Sequence, residues 1–149
     1  MTTADAAPVR ARPRRLIRVC WAVAVLVVLV FAGLAVALGQ GPEGDAQFQL
    51  ADQIAFFLLG VLVAASALLF TRSRVEGTAE GVRVRNPLGT KDVPWQVVRA
   101  VRLDEGAPWA VLELHDDETV QLLAVQAHDG DLAVDAVLGL RALLAASRG

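Results

Sequence analysis

Two apolar blocks dominate the hydrophobic pattern of this chain. No charged residue occurs from Val19 to Pro42, and none occurs from Gln53 to Thr71. Twelve Leu, Val or Phe residues lie between Val19 and Leu38, and eleven Leu, Ile, Val or Phe residues between Ile54 and Phe70. A bilayer core about 30 Å thick needs roughly 20 helical residues at 1.5 Å each. Both blocks therefore predict transmembrane helices, over 16–40 and 53–71, joined by a loop over 41–52 into a hairpin. At about −0.3 to −0.6 kcal/mol per apolar side chain near the bilayer centre, either block favours insertion by several kcal/mol. Gly60 and Ala64 give a small-xxx-small spacing that permits close helix contact.

After Arg72 the period changes. In Val82-Arg83-Val84-Arg85 the valines share one face of a strand and the arginines the other. Asn86-Pro87-Leu88-Gly89 predicts a turn, and Thr90–Val93 and Ala100–Leu103 predict further strands. Trp109–Leu114 alternates again, His115-Asp116-Asp117-Glu118 predicts a polar hairpin turn, and Thr119–Val125 the return strand. Residues Glu76 to Gly81 are expected as the loop between an initial strand and the Val82 strand. From Asp131 the period becomes helical, with Ala133, Val137, Leu140 and Leu144 on one stripe and Ala136 and Leu143 beside it. Asp129 and Asp131 suit the N-terminus of that helix, and Arg141 and Arg148 suit its C-terminal part. The expected class is α+β: a two-helix transmembrane hairpin, then a small β-barrel or curved sheet over 72–149 closed by an amphipathic helix.

Charge orients the hairpin. Arg10, Arg12, Arg14, Arg15 and Arg18 precede the first block and Arg72 and Arg74 follow the second, whereas the loop holds Glu43, Asp45 and Asp52. Excess Lys/Arg marks the cytoplasmic side, so both termini are expected in the cytoplasm and the protein in the plasma membrane. Residues 1–15, rich in Pro, Ala, Thr and Arg, read as a disordered basic tail near anionic headgroups or simply as a topology signal. An Arg-rich start before an apolar run also describes a secretory signal, with Ala35 and Ala37 before a cleavage point. The length of the run and the second span close behind it weigh for retention. Cys20, the one cysteine, excludes an intramolecular disulfide and opens the apolar run instead of closing it, which argues against a lipoprotein.

The run Val82–Thr90, the segment Val93-Pro94-Trp95-Gln96-Val97-Val98 and the pair Pro108-Trp109 resemble the bacterial pleckstrin-homology-like (PH-like) membrane proteins, in particular the actinobacterial low-molecular-weight antigen type. The likeness covers 72–149 and extends to the hairpin. It implies a PH-like fold on a membrane-bound protein, in a family with no settled biochemical activity.

Chemistry is sparse. Trp95 is expected as an aromatic anchor of the core, Trp109 as rim packing or a contact surface, and Trp21 as an interface anchor. His115 to Glu118 look superficially like a metal cluster, but consecutive turn residues point apart, and a solvated turn explains them better. His128 is alone. Neither histidine has a nucleophile beside it in sequence. Gly77 and Gly81 lack the strand–loop–helix setting and the following Lys of a phosphate loop. The domain holds nine basic against twelve acidic residues, and the chain has no Tyr, which opposes a nucleic-acid role. No catalytic residue, metal site or cofactor is therefore expected.

Lipid-binding PH domains of eukaryotes use basic residues around the first hairpin loop, where Glu76 and Glu80 stand here and would repel phosphate. Arg72, Arg74, Arg83 and Arg85 remain as candidate membrane-facing residues. The expected function is a non-enzymatic membrane protein presenting its domain to an unidentified protein partner or helping to assemble a membrane complex. The alternatives are a regulator touching anionic lipid, or an accessory subunit of a membrane enzyme or transporter.

Overall fold

The computed structural model describes residues 7–40 and 46–149. These divide into two compact units: residues 7–15 with 72–149, and residues 16–40 with 46–71. Residues 1–6 of the expected tail and 41–45 of the expected loop lie outside the described residues.

The helical unit is built from α1 (Arg14–Leu38) and α2 (Ala46–Leu69). Both contain stretches long and apolar enough to cross a membrane, with mean hydropathy 2.9 and 2.5. α2 starts at Ala46, not at residue 53, because Ala46–Asp52 are mostly good helix formers and extend the helix past the apolar block. Small residues lie between the helices: Cys20, Ala24, Ala35 and Ala64 are buried, and Gly60 faces Phe31 so closely that an added Cβ would lie 2.6 Å from Phe31 Cβ. Larger apolar side chains point outward; Leu26, Leu29 and Leu62 are each more than 60% exposed. A soluble core helix would hide them.

Among the described residues the second unit holds seven strands. β1 (Val9–Ala11), β2 (Arg74–Gly77), β3 (Gly81–Asn86) and β4 (Gly89–Pro94) form one antiparallel sheet in that order. β5 (Val98–Arg102), β6 (Trp109–Leu114) and β7 (Thr119–Gln126) form a second. α3 (Asp131–Ser147) packs Ala133, Ala136, Val137, Leu140, Leu143 and Leu144 into the shared core. Alternation does the sorting: Val82 and Val84 of β3 and Ala110, Leu112 and Leu114 of β6 are buried, and their neighbours are not. A register break beside Trp109 and Ala110 lets the consecutive Ala124 and Val125 of β7 both turn inward. The sheets do not close into a barrel. Asn86 ties them instead, its Nδ2 donating to the Gln121 carbonyl at 3.0 Å.

The largest correction concerns the tail. Val9–Ala11 lies inside the stretch expected to be disordered, yet it is a strand paired with β2. Its reason is a fitted seat. A Cβ on Gly139 of α3 would lie 2.6 Å from Val9 Cγ2, and one on Gly77 would meet Leu140 at 2.7 Å and Leu143 at 2.9 Å. Gly139 clears the slot that Val9 fills, Gly77 lets Leu140 and Leu143 of α3 come close beside it, and Val9 and Ala11 pack on the core. The PH-like domain is thus discontinuous, with the helical pair inserted between neighbouring strands β1 and β2. Two further boundaries move. Glu76 and Gly77 belong to β2, leaving only residues 78–80 as the turn, and the strand expected at Ala100–Leu103 runs from Val98 to Arg102.

The free edge of β5 is covered by arginines from α3. Arg141 Nε donates to the Val101 carbonyl at 2.9 Å, and Arg148 Nη2 to those of Val98 and Arg99 at 2.9 and 2.7 Å. These residues, expected only to complement the helix dipole, blunt an edge that would otherwise offer unpaired carbonyls.

Candidate functional site

The solvent face of the four-stranded sheet carries two contrasting rows. Across the strands Arg10 pairs in register with Glu76, Glu76 with Arg83, and Arg83 with Asp92. Positive and negative charges alternate, which favours this register over a slip. Arg83 closes on Asp92 with two hydrogen bonds, Nε–Oδ1 at 2.6 Å and Nη2–Oδ2 at 3.2 Å. That hydrogen bond raises the Arg83 pKa and lowers that of Asp92. An open groove of about 480 Å³ lies over this row, lined by Glu76, Thr78, Glu80, Arg83, Asp92 and Pro94 among others.

The next row is uncompensated. Arg74 stands directly opposite Arg85, and Arg85 opposite Thr90. Among the described residues neither Arg74 nor Arg85 has a carboxylate partner. Like charges directly opposite across a strand pair are destabilising, a cost that a nearby anion would relieve. Arg72 lies in the short 3-10 turn Phe70–Arg72 between α2 and this row and is exposed. Of the four arginines picked from sequence, three have no carboxylate partner among the described residues and lie near the end of the sheet where β1 ends and β2 begins. Arg83 does have one: its alternation with Arg85 hid the carboxylate across the strand.

The tryptophans divide as their surroundings dictate. Trp95, in the 3-10 turn Trp95–Val97, is 1% exposed and its Nε1 donates to the Thr78 carbonyl at 2.7 Å. It locks the β2–β3 turn against the start of β5. Trp109 is half-buried at the head of β6.

The polar turn at His115–Glu118 reads as a hairpin, not a ligand set. Asp117 adopts φ 64, a left-handed position that Asp tolerates, and pairs with Arg99 at 3.0 Å, while Glu118 faces Lys91 at 3.6 Å. Among the described residues no three His, Cys, Asp or Glu side chains come together to hold a metal.

A seven-stranded pair of antiparallel sheets capped by a C-terminal helix, carrying two long apolar helices, defines a PH-like protein. Residues 72–143 match the bacterial PH domain family. Over 128 residues, 86% of its length, the chain is 39% identical to the uncharacterized proteins Rv1417 of Mycobacterium tuberculosis and Mb1452 of Mycobacterium bovis, covering 82% of each. The chain belongs to the bacterial PH domain family. No solved structure matches it significantly. The family match begins at Arg72 and so omits β1.

Proposed function

We propose that this protein is a membrane-anchored, non-catalytic adaptor of the plasma membrane, whose PH-like domain binds a protein partner or helps assemble a membrane complex on the cytoplasmic face. The observation that carries this reading is the insertion of two long apolar helices between adjacent strands of one domain. With both helices in the bilayer, the chain connects them to the domain through two short segments, Arg12-Pro13 and Phe70–Ser73. The arginines around those segments favour the cytoplasmic side. The described residues offer a packed core and ion-paired surfaces, with no convergent catalytic set, which suits docking better than chemistry.

Affinity capture of the full chain from native membranes tests this. A reproducible partner is expected that disappears when Trp95→Ala disorders the domain while the helices stay inserted. Capture that depends on the helices alone, or no reproducible partner, refutes it.

A second reading, contact with anionic lipid, is favoured by the uncompensated Arg74–Arg85 row. Residues 7–13 fused through a flexible linker to 72–149 would retain all seven described strands without the apolar helices. Flotation of this fusion with phosphatidylglycerol vesicles is expected to weaken with salt and to be lost in Arg74→Glu/Arg85→Glu. Equal flotation with neutral and anionic vesicles refutes this reading.

A further inference from the structure

β1 is three residues long, sits at the edge of its sheet, and is separated from the rest of its domain by the whole helical pair. The strand itself is held by a local fit, followed by the buried Pro13 and by the Arg15 N–H donating to Asp129 Oδ1 at 3.4 Å. Val9 stands opposite Gly77 and fills the slot left by Gly139 of α3, Arg10 stands opposite Glu76, and Ala11 opposite Val75. Only Arg12-Pro13 separates the strand from α1. Short hinges of this kind favour exchange of a terminal element between copies. An exchanged β1 would find the same glycine slot and the same opposed charge in its neighbour, so the swap needs no new interface. Copies confined to one bilayer also meet at high effective concentration.

We propose that the outer edge of β2, with its glycine slot, is a strand-docking site between copies of this chain, taking up β1 of a second copy as well as its own. This rests on the reading that the helices span the bilayer, which holds β1 and β2 of all copies on one face. The occupant is specified by the slot: an extended segment running antiparallel to β2, with a β-branched residue opposite Gly77 and a basic residue opposite Glu76.

Full-length chains in lipid nanodiscs large enough for two copies provide the test, in a Cys20→Ala background that removes the one native thiol. One copy carries Arg10→Cys alone and the other Glu76→Cys alone, positions in direct register. Mild oxidation is expected to give a disulfide-linked heterodimer, reduced at least tenfold when both copies also carry Gly139→Val, which fills the slot. No heterodimer, or one indifferent to Gly139→Val and so produced by collision, overturns the proposal. A single copy carrying both cysteines separates the levels of failure. If it closes within itself while mixed copies do not link, β1 serves only its own sheet. If it fails to close, the β1 seat itself is wrong. Should protease protection show that residue 10 and residue 149 lie on opposite sides of the membrane, the spanning reading fails independently, and the exchange with it.

Discussion

Replacing Gly139 with Ala sets two known effects against each other. In a helix interior Ala is favoured over Gly by about 1 kcal/mol, so propensity alone predicts a more stable domain. The new methyl, however, would lie 2.6 Å from Val9 Cγ2, and overpacking of that kind costs about 1–3 kcal/mol. The expected result is a net loss of about 0–2 kcal/mol. Val9→Ala alone removes two half-buried carbons and is expected to cost about 1 kcal/mol at about 0.8 kcal/mol per fully buried methylene. In the double variant the clash is gone and the helix keeps its gain, so stability returns close to that of the parent. The coupling energy is then about 1–3 kcal/mol. Urea-dependent pulse proteolysis of the purified chain in micelles, following cleavage within 72–149, measures each corner of the cycle. Additive effects, or stabilisation by Gly139→Ala with Val9 intact, would refute the seating of β1.

Two other outcomes follow from the same structure. Trp95→Ala is expected to destabilise the domain by about 3–5 kcal/mol, with Trp95→Phe recovering all but the packing difference and the lost bond to Thr78, checked by the same proteolysis. Asp92 has its pKa lowered by the Arg83 hydrogen bond; its contribution to stability is therefore full above the ordinary carboxylate range and is lost only as pH falls through the depressed folded value. A carboxyl NMR titration should place its midpoint below the ordinary carboxylate range, and Arg83→Ala should return it to that range; an unmoved midpoint contradicts the pairing.

How much was legible in the sequence varied with the length and contrast of each signal. The apolar blocks were plain because bilayer thickness demands long uncharged runs, and β3, β6 and α3 because each sustains its own period. β1 was hidden: three residues between Pro8 and Pro13, set in basic and Ala-rich sequence, carry too little alternation to stand out. Its partner lies beyond two helices, and its seat is made by glycines, whose absent side chains leave no pattern. The onset of α2 was missed for the opposite reason, since polar helix formers prolong a helix without prolonging hydrophobicity. For the surface arginines, type was readable and pairing was not. Only cross-strand register reveals that Arg83 meets Asp92 while Arg74 meets Arg85.

The interruption of the domain also imposes an order on its making. The ribosome delivers Val9–Ala11 well before Arg74–Gly77 exists, so the first strand must wait for a partner translated after both helices. If each helix crosses the bilayer, the two halves of the sheet meet only after an even number of crossings. A chain that inserts one helix and skips the other strands them in different compartments, with an empty glycine slot and a raw sheet edge for quality control to find. On that topology, closure of the sheet would require that the two helices cross together or not at all.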